Sequence, residues 1–134
     1  TQDMTAVTQF GFTVGTPNFM SPEQAKGEEQ IDHRSDIYSL GAVAYVLFTG
    51  KMPFKADTQL ALMHKVVYEA PTEPEELNPN IPRGVAYAIK RVLAKEPELR
   101  FDSAMEFALA LEEGLTWNPS TKDMASLNEL VFPK

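Results

Sequence analysis

Cysteine is absent from the sequence, and histidine occurs only twice, at His33 and His64. Without cysteine the chain can form no disulfide, no thiolate nucleophile and no zinc–cysteine site. The two histidines stand too far apart for a ligand pair on one helix, and we expect both at the surface. The sequence contains no signal-peptide pattern and no apolar run near the ~20 residues that a membrane-spanning helix needs.

Basic residues are also scarce. Twelve Lys and Arg stand against 19 Asp and Glu, which gives the 134-residue chain a formal net charge of −7. Nucleic-acid binding depends on cations that neutralise phosphates, so we expect no nucleic-acid partner. The length and the 43% hydrophobic content are those of one globular domain with a single core.

The most apolar stretch predicts a central helix. Residues 37–48 contain a single clearly polar side chain, so the helix should be surrounded by protein. Gly50 and Pro53 are typical of a helix end, and Ser35 and Asp36 can cap its first turn. Capping alone would explain the carboxylate at position 36.

Further helices are predicted on both sides of this segment. Ser21-Pro22-Glu23 has the pattern of a helix start. A helix over residues 58–67 would be capped by Asp57 and would bury a stripe of three residues: Leu60, Met63 and Val67. The proline- and glutamate-rich residues 71–82 predict an extended acidic loop.

The last third of the chain predicts three more helical segments. One, over residues 84–95, should bury four apolar residues: Val85, Ile89, Val92 and Leu93. The next should begin in a capping box at Ser103 and end at Gly114, with Phe107, Ala108 and Leu111 inward. A short docked helix with Ser126 as its cap is predicted in the tail. No strand pattern is longer than four or five residues, so we predict an all-α fold.

Four ordered motifs then give a resemblance to a known family. They are Gly15-Thr16-Pro17-Asn18-Phe19-Met20-Ser21-Pro22-Glu23, Asp36-Ile37-Tyr38-Ser39-Leu40-Gly41, Thr49-Gly50-Lys51-Met52-Pro53-Phe54, and Arg100. In this order they closely resemble the helical C-terminal lobe of a eukaryotic-like protein kinase, most of all the bacterial serine/threonine kinases. The resemblance covers roughly residues 5–114. One departure is Phe19, where the family often has Tyr.

The resemblance assigns roles to threonines near the start of the chain. It places Thr5, Thr8 and Thr13 in the activation loop as phosphorylation sites, with Thr8 the leading one. Thr16 matches the threonine of the substrate-side loop that favours Ser or Thr as acceptor. A Thr-rich segment could also be simply a solvated loop.

The resemblance also names three structural anchors. Glu23 matches the glutamate that closes the activation segment, and Arg100 matches its buried ion-pair partner. Asp36 matches the carboxylate that accepts backbone N–H groups of the catalytic loop. Without the resemblance, Glu23 would be interpreted as an acidic residue in the first turn of a helix and Arg100 as a solvated arginine.

The groups that hold ATP and Mg²⁺ in this family are missing from the sequence. It has no Gly-x-Gly-x-x-Gly, no His-Arg-Asp and no Asp-Phe-Gly, although phosphoryl transfer needs such groups. We therefore expect an inactive fragment that contains no catalytic residue, no metal site and no ATP site. ATP and Mg²⁺ would bind to the full-length parent.

The expected organisation is the end of the activation segment over residues 1–23, a helical C-lobe over 24–114 and a C-terminal tail over 115–134. Expected partners are protein substrates, the upstream N-lobe and catalytic loop, and a second copy of the chain through self-association. The expected location is the cytoplasm, with any membrane anchor outside this segment. Two alternatives stay open: the C-lobe of a pseudokinase that serves as a protein-binding module, and a plain helical adaptor.

Overall fold

The computed structural model describes residues 19–134, and within that range all of the regular secondary structure is helical. Seven α-helices follow one another: α1 Pro22–Ala25, α2 His33–Thr49, α3 Gln59–Tyr68, α4 Pro74–Leu77, α5 Arg83–Val92, α6 Ala104–Gly114 and α7 Thr121–Val131, with a 3₁₀ turn at Pro97–Leu99. The predicted all-α fold is therefore confirmed for this range. None of the helices in it is both long and apolar enough to span a bilayer.

Helix α2 is the predicted central helix, but its beginning and its surroundings differ from the prediction. It begins at His33, because Asp32 is the N-cap and accepts from the backbone N–H of Arg34 at 2.9 Å. Ser35 and Asp36 lie inside the first turn. Gly50 ends the helix in the left-handed conformation, as predicted (φ 78°).

Helix α2 is also not enclosed on all sides. Tyr38, Ala42 and Tyr45 are buried, while Leu40, Val43 and Leu47 are exposed by 42%, 39% and 78%. The exposed three are spaced i, i+3, i+7 and therefore form one stripe. The range 19–134 leaves Leu47 mostly exposed and covers Leu40 and Val43 only in part.

Helix α5 is the second central element. It packs against α2, α6 and α7, and its predicted apolar face is confirmed: Val85, Ile89, Val92 and Leu93 are all buried. Gly41 of α2 allows the two helices to approach, since a Cβ there would collide with the Val92 side chain. Gly84 and Gly114 serve the same purpose between α5 and α6, where a Cβ on Gly84 would come within 2.6 Å of the Gly114 Cα.

The predicted details of α3 and α4 were partly wrong. Helix α3 is capped by Thr58, whose side chain accepts from Ala61, and not by Asp57. It buries Leu62 and Val66, whereas Leu60 is 78% exposed. The acidic segment after it is not wholly extended, because Pro74–Leu77 forms one helical turn with proline in its first turn.

The last two helices lie where the sequence predicted them, but some of their predicted caps and buried residues were wrong. Ser103 caps α6 as predicted, but the expected capping box is incomplete, since only the Glu106 backbone N–H donates to the Ser103 side chain. Of the three residues predicted to face inward, Phe107 is buried, Leu111 is half-buried and Ala108 is exposed. The tail does contain a docked helix, α7, which buries Met124, Leu127 and Val131. Its cap is Ser120, in a capping box with Asp123, and not Ser126.

Candidate functional site

The candidate site is built on a buried ion pair between α1 and the loop before α6. Arg100 bonds both carboxylate oxygens of Glu23, Nη1 to Oε2 at 2.7 Å and Nη2 to Oε1 at 2.8 Å. The side chains are 0% and 6% exposed. Their separation of 77 positions in sequence means that only the tertiary fold brings them together. The ion pair has the bidentate geometry that arginine alone can make.

Every N–H donor of the Arg100 side chain has an acceptor. Besides the two bonds to Glu23, Nε donates to the Ala94 carbonyl at 2.9 Å, Nη1 to the Arg34 carbonyl at 3.0 Å and Nη2 to the Lys95 carbonyl at 3.2 Å. A guanidinium has five N–H groups, so none is left unpaired. The arginine thus joins the end of α5, the first turn of α2 and helix α1 at one point.

The Glu23 carboxylate is held from a second side by hydroxyl groups. Ser35 Oγ donates to Glu23 Oε2 at 2.5 Å, and Ser21 Oγ lies 2.9 Å from Ser35 Oγ. Burial alone would raise the pKa of Glu23. The hydrogen bonds from Arg100 and Ser35 and the positive charge of Arg100 outweigh it and hold that pKa below its ordinary value of 4.5. The pair is therefore ionised at neutral pH.

The other predicted site residues do not join this cluster. Asp36 lies on an exposed part of the first turn of α2, and its side chain has no hydrogen bond or ion pair to any residue of the range 19–134. Thr5, Thr8, Thr13 and Thr16 lie outside the described residues. Phe19, the first described residue, is tied to α2 because Ser39 Oγ donates to its carbonyl at 2.6 Å.

A second ion pair, between a fully buried lysine and a partly exposed glutamate, was not predicted. The Lys90 ammonium, 0% exposed, lies 2.8 Å and 3.1 Å from the two carboxylate oxygens of Glu73, and Asn128 Nδ2 donates to the same carboxylate at 3.2 Å. This cluster connects α5 with the segment before α4 and with α7. The sequence could have indicated this ion pair, because Lys90 lies on the buried side of α5, between Ala86 and Leu93. A buried cation there needs a negatively charged or hydrogen-bonding partner.

Lys95 was also missed. Its ammonium donates to the Val66 carbonyl at 2.6 Å and lies 4.6 Å from the centroid of the Phe54 ring, and none of the described carboxylates lies within 4 Å of it. Burial, with a further contribution from the positive charge of Arg100, lowers the pKa of Lys95 to about 7. Lys95 therefore links α3 and the loop before it to the end of α5.

The residues present do not fit an ATP–Mg²⁺ site. No group of three or more metal-ligating side chains occurs within residues 19–134, and the glycine-rich phosphate loop is absent from the whole sequence.

Comparison with known proteins agrees with the motif order. The family model for the protein kinase domain matches residues 2–110. The serine/threonine-protein kinase pkn3 of Myxococcus xanthus is 41% identical over 114 residues, which are 84% of this chain and 21% of the relative. The serine/threonine-protein kinase PksC of Streptomyces coelicolor is 45% identical over 94 residues, which are 70% of this chain and 17% of the relative. The chain thus spans about a fifth of the length of these curated relatives.

Solved structures show the same relationship. The kinase domain of PknI from Mycobacterium tuberculosis superimposes with a TM-score of 0.57 at 29% identity, and the match covers 72% of this chain and 34% of that one. The predicted resemblance to a bacterial-type serine/threonine kinase and the predicted fold class are both confirmed by these matches. The chain belongs to the protein kinase family.

Proposed function

We propose that this chain serves a protein serine/threonine kinase as the end of its activation segment, its substrate platform and its structural core. The observation that carries the proposal is the Glu23–Arg100 ion pair. It links the residues that directly follow the threonine-rich segment to the helical core. All five N–H donors of the Arg100 side chain take part in this link. A segment anchored at that point can present a protein substrate in a fixed position.

The remaining roles extend this proposal. Residues 1–23 end the activation segment, 24–114 form the C-lobe and 115–134 the tail. Thr8 is the leading regulatory phosphosite, with Thr5 and Thr13 behind it, and Thr16 favours Ser or Thr as acceptor. The exposed carboxylate of Asp36 is free to accept N–H groups of a catalytic loop supplied by upstream sequence.

Further partners and the location are part of the same proposal. The stripe Leu40, Val43 and Leu47 is the surface on which an N-lobe and catalytic loop pack, and in their absence two copies of the chain associate there. The whole enzyme uses ATP and Mg²⁺ and works in the cytoplasm.

The experiment is a phosphorylation assay on the full-length protein with labelled ATP, followed by phosphoamino-acid analysis and mass spectrometry. We expect phosphoserine and phosphothreonine in a protein substrate and phosphate on Thr8. Phosphotyrosine as the main product would contradict the acceptor preference. Phosphate on Thr16 with Thr8 unmodified would reverse the assignment of the regulatory site.

The pseudokinase alternative is tested in the same preparation. A pseudokinase would transfer no phosphate while keeping the C-lobe folded. Upstream sequence that contains the lysine, the metal-binding carboxylates and the catalytic base would contradict this alternative, and their absence would support it.

A further inference from the structure

A hollow of about 320 Å³ lies between the loop after α2, helix α3, the segment that follows α3 and the last residue of α4. Lysines 51, 55 and 65 lie around it, and its wall includes the buried ring of Phe54 and the side chain of Leu77. We call this feature the basic hollow. It is distant in sequence from the Glu23–Arg100 ion pair and has no part in the roles assigned above.

The lysines of the basic hollow are not neutralised by the protein. Lys51 and Lys55 are exposed, and Lys65 donates to the backbone carbonyl of Lys55 at 2.6 Å instead of to a carboxylate. None of the three lies within 4 Å of an acidic side chain among residues 19–134. Glu69 is the one carboxylate among the residues that line the hollow. Three positive charges therefore surround a small cavity in a chain of net charge −7.

We propose that the basic hollow is a docking surface for an acidic segment of a protein substrate. The proposal rests on the proposed kinase function and adds a substrate class to it. The cavity has room for one carboxylate side chain at its centre. Lys51 and Lys55 can reach the flanking acidic residues, since both residues are exposed and their side chains are flexible.

Other polyanions fit this surface less well. Nucleic acid would meet the large acidic surplus of the rest of the chain. Recognition of anionic lipid typically uses clusters of four to eight basic residues, whereas this surface has three and a neighbouring carboxylate, Glu69. A short acidic peptide needs only a local excess of positive charge, so it is the occupant that the charges favour.

The test measures peptide binding to the full-length protein by fluorescence anisotropy. The probe is a fluorescein-labelled peptide of six glutamates, and the comparison peptide has six glutamines. The triple variant Lys51→Gln, Lys55→Gln and Lys65→Gln should weaken binding of the acidic probe about tenfold, because each exposed charge pair contributes a factor of roughly 1.4 to 5. Glu69→Gln should tighten binding about threefold.

The matched control removes the same charge elsewhere. Lys26→Gln, Lys122→Gln and Lys134→Gln together leave the basic hollow intact, and affinity should change less than about twofold. Replacing Lys51, Lys55 and Lys65 by arginine keeps the charges and should keep the affinity, which separates a charge effect from misfolding. Binding should also weaken between 50 mM and 500 mM NaCl, as expected for exposed charges.

Three results would overturn the proposal: equal weakening by the control triple variant, no weakening by the first triple variant, and tighter binding to phosphatidylserine vesicles than to the acidic peptide. Kinase activity measured in parallel keeps the two proposals apart. Acidic-peptide binding without phosphate transfer would overturn the kinase proposal and keep the docking surface. Phosphate transfer without acidic-peptide binding would do the opposite.

Discussion

At the scale of single residues, Arg100 makes five side-chain hydrogen bonds. Its five donors meet two carboxylate oxygens and three backbone carbonyls, so that it holds three separate segments of the backbone. A lysine has only three donors and no planar fork. It could keep the charge next to Glu23 but would leave several of these acceptors without a partner.

We therefore expect Arg100→Lys to destabilise the chain nearly as much as Arg100→Ala. In Arg100→Ala, loss of one partner of the buried ion pair costs about 3–5 kcal/mol of unfolding free energy, because the Glu23 charge is stranded. In Arg100→Lys the charge stays, and the cost comes from buried acceptors left without a hydrogen bond, each about 1–3 kcal/mol. Urea unfolding followed by circular dichroism measures both variants. Arg34→Lys is the control: Arg34 makes only partly exposed ion pairs, at 3.7 and 3.6 Å, and should cost less than about 1 kcal/mol.

The cost of Arg100→Ala should also shrink as the pH falls from 7 towards 4. With Arg100 present the pKa of Glu23 is held below its ordinary value of 4.5, so the carboxylate stays charged and paired to a lower pH than an ordinary glutamate would. Without Arg100, burial raises that pKa, and protonation at the raised value removes the stranded charge. An unfolding cost that stays constant with pH would show that Glu23 is not the group left unpaired.

The sequence predicted this ion pair but not the one between Lys90 and Glu73. Glu23 and Arg100 each lie at a fixed place in an ordered set of motifs, and that order supplied a long-range contact which no local pattern contains. Glu73 lies in a run of glutamates where no one residue is distinguished. Its choice as partner depends on how the segment before α4 crosses α5, which is a tertiary property.

At the scale of helices, the end of a helix at a glycine was easier to predict than the face that a helix buries. Gly50 ends α2 as expected because few other residues adopt a positive φ readily. The N-caps of α2, α3 and α7 were each assigned to the wrong residue, because several Ser, Thr or Asp candidates lie near each start. The buried face of α3 was wrong because that helix is apolar at most positions, so several stripes fit, and contact with α1 decides between them.

The close contact of α2 with α5 gives a prediction at this scale. Gly41→Ala should lower the unfolding free energy by about 1–3 kcal/mol, because its new Cβ would overlap the Val92 side chain. The helix propensity of alanine would favour the opposite result by ~1 kcal/mol. A net loss of stability therefore identifies the steric collision.

A double-mutant cycle provides the control for Gly41. Val92→Ala alone should destabilise by leaving a cavity, but in the Gly41→Ala background it removes the overlapping methyl groups. We expect the double variant to be more stable than the sum of the single effects by ~0.5–3 kcal/mol. Simple additivity within about 0.5 kcal/mol would mean that the two helices separate instead of colliding.

At the scale of the whole molecule, the most informative feature is the side of α2 that carries Leu40, Val43 and Leu47. The sequence correctly marked α2 as the central helix, but a uniformly apolar sequence cannot say what covers each side. The part of the chain that the structure describes covers only one side. An exposed apolar stripe of this kind favours association with another protein surface.

We expect the isolated 134-residue chain to self-associate through this stripe, and Leu47→Gln to reduce the association. Leu60→Gln is the matched control, since Leu47 and Leu60 are both 78% exposed but lie on different helices. Sedimentation velocity at several concentrations should show a larger fraction of monomer for Leu47→Gln than for the unchanged chain or Leu60→Gln.

A larger effect of Leu60→Gln would indicate that the chain associates through α3, because the two leucines are equally exposed and differ only in position. A chain that is monomeric at every concentration would show that the stripe is too small to hold two copies together.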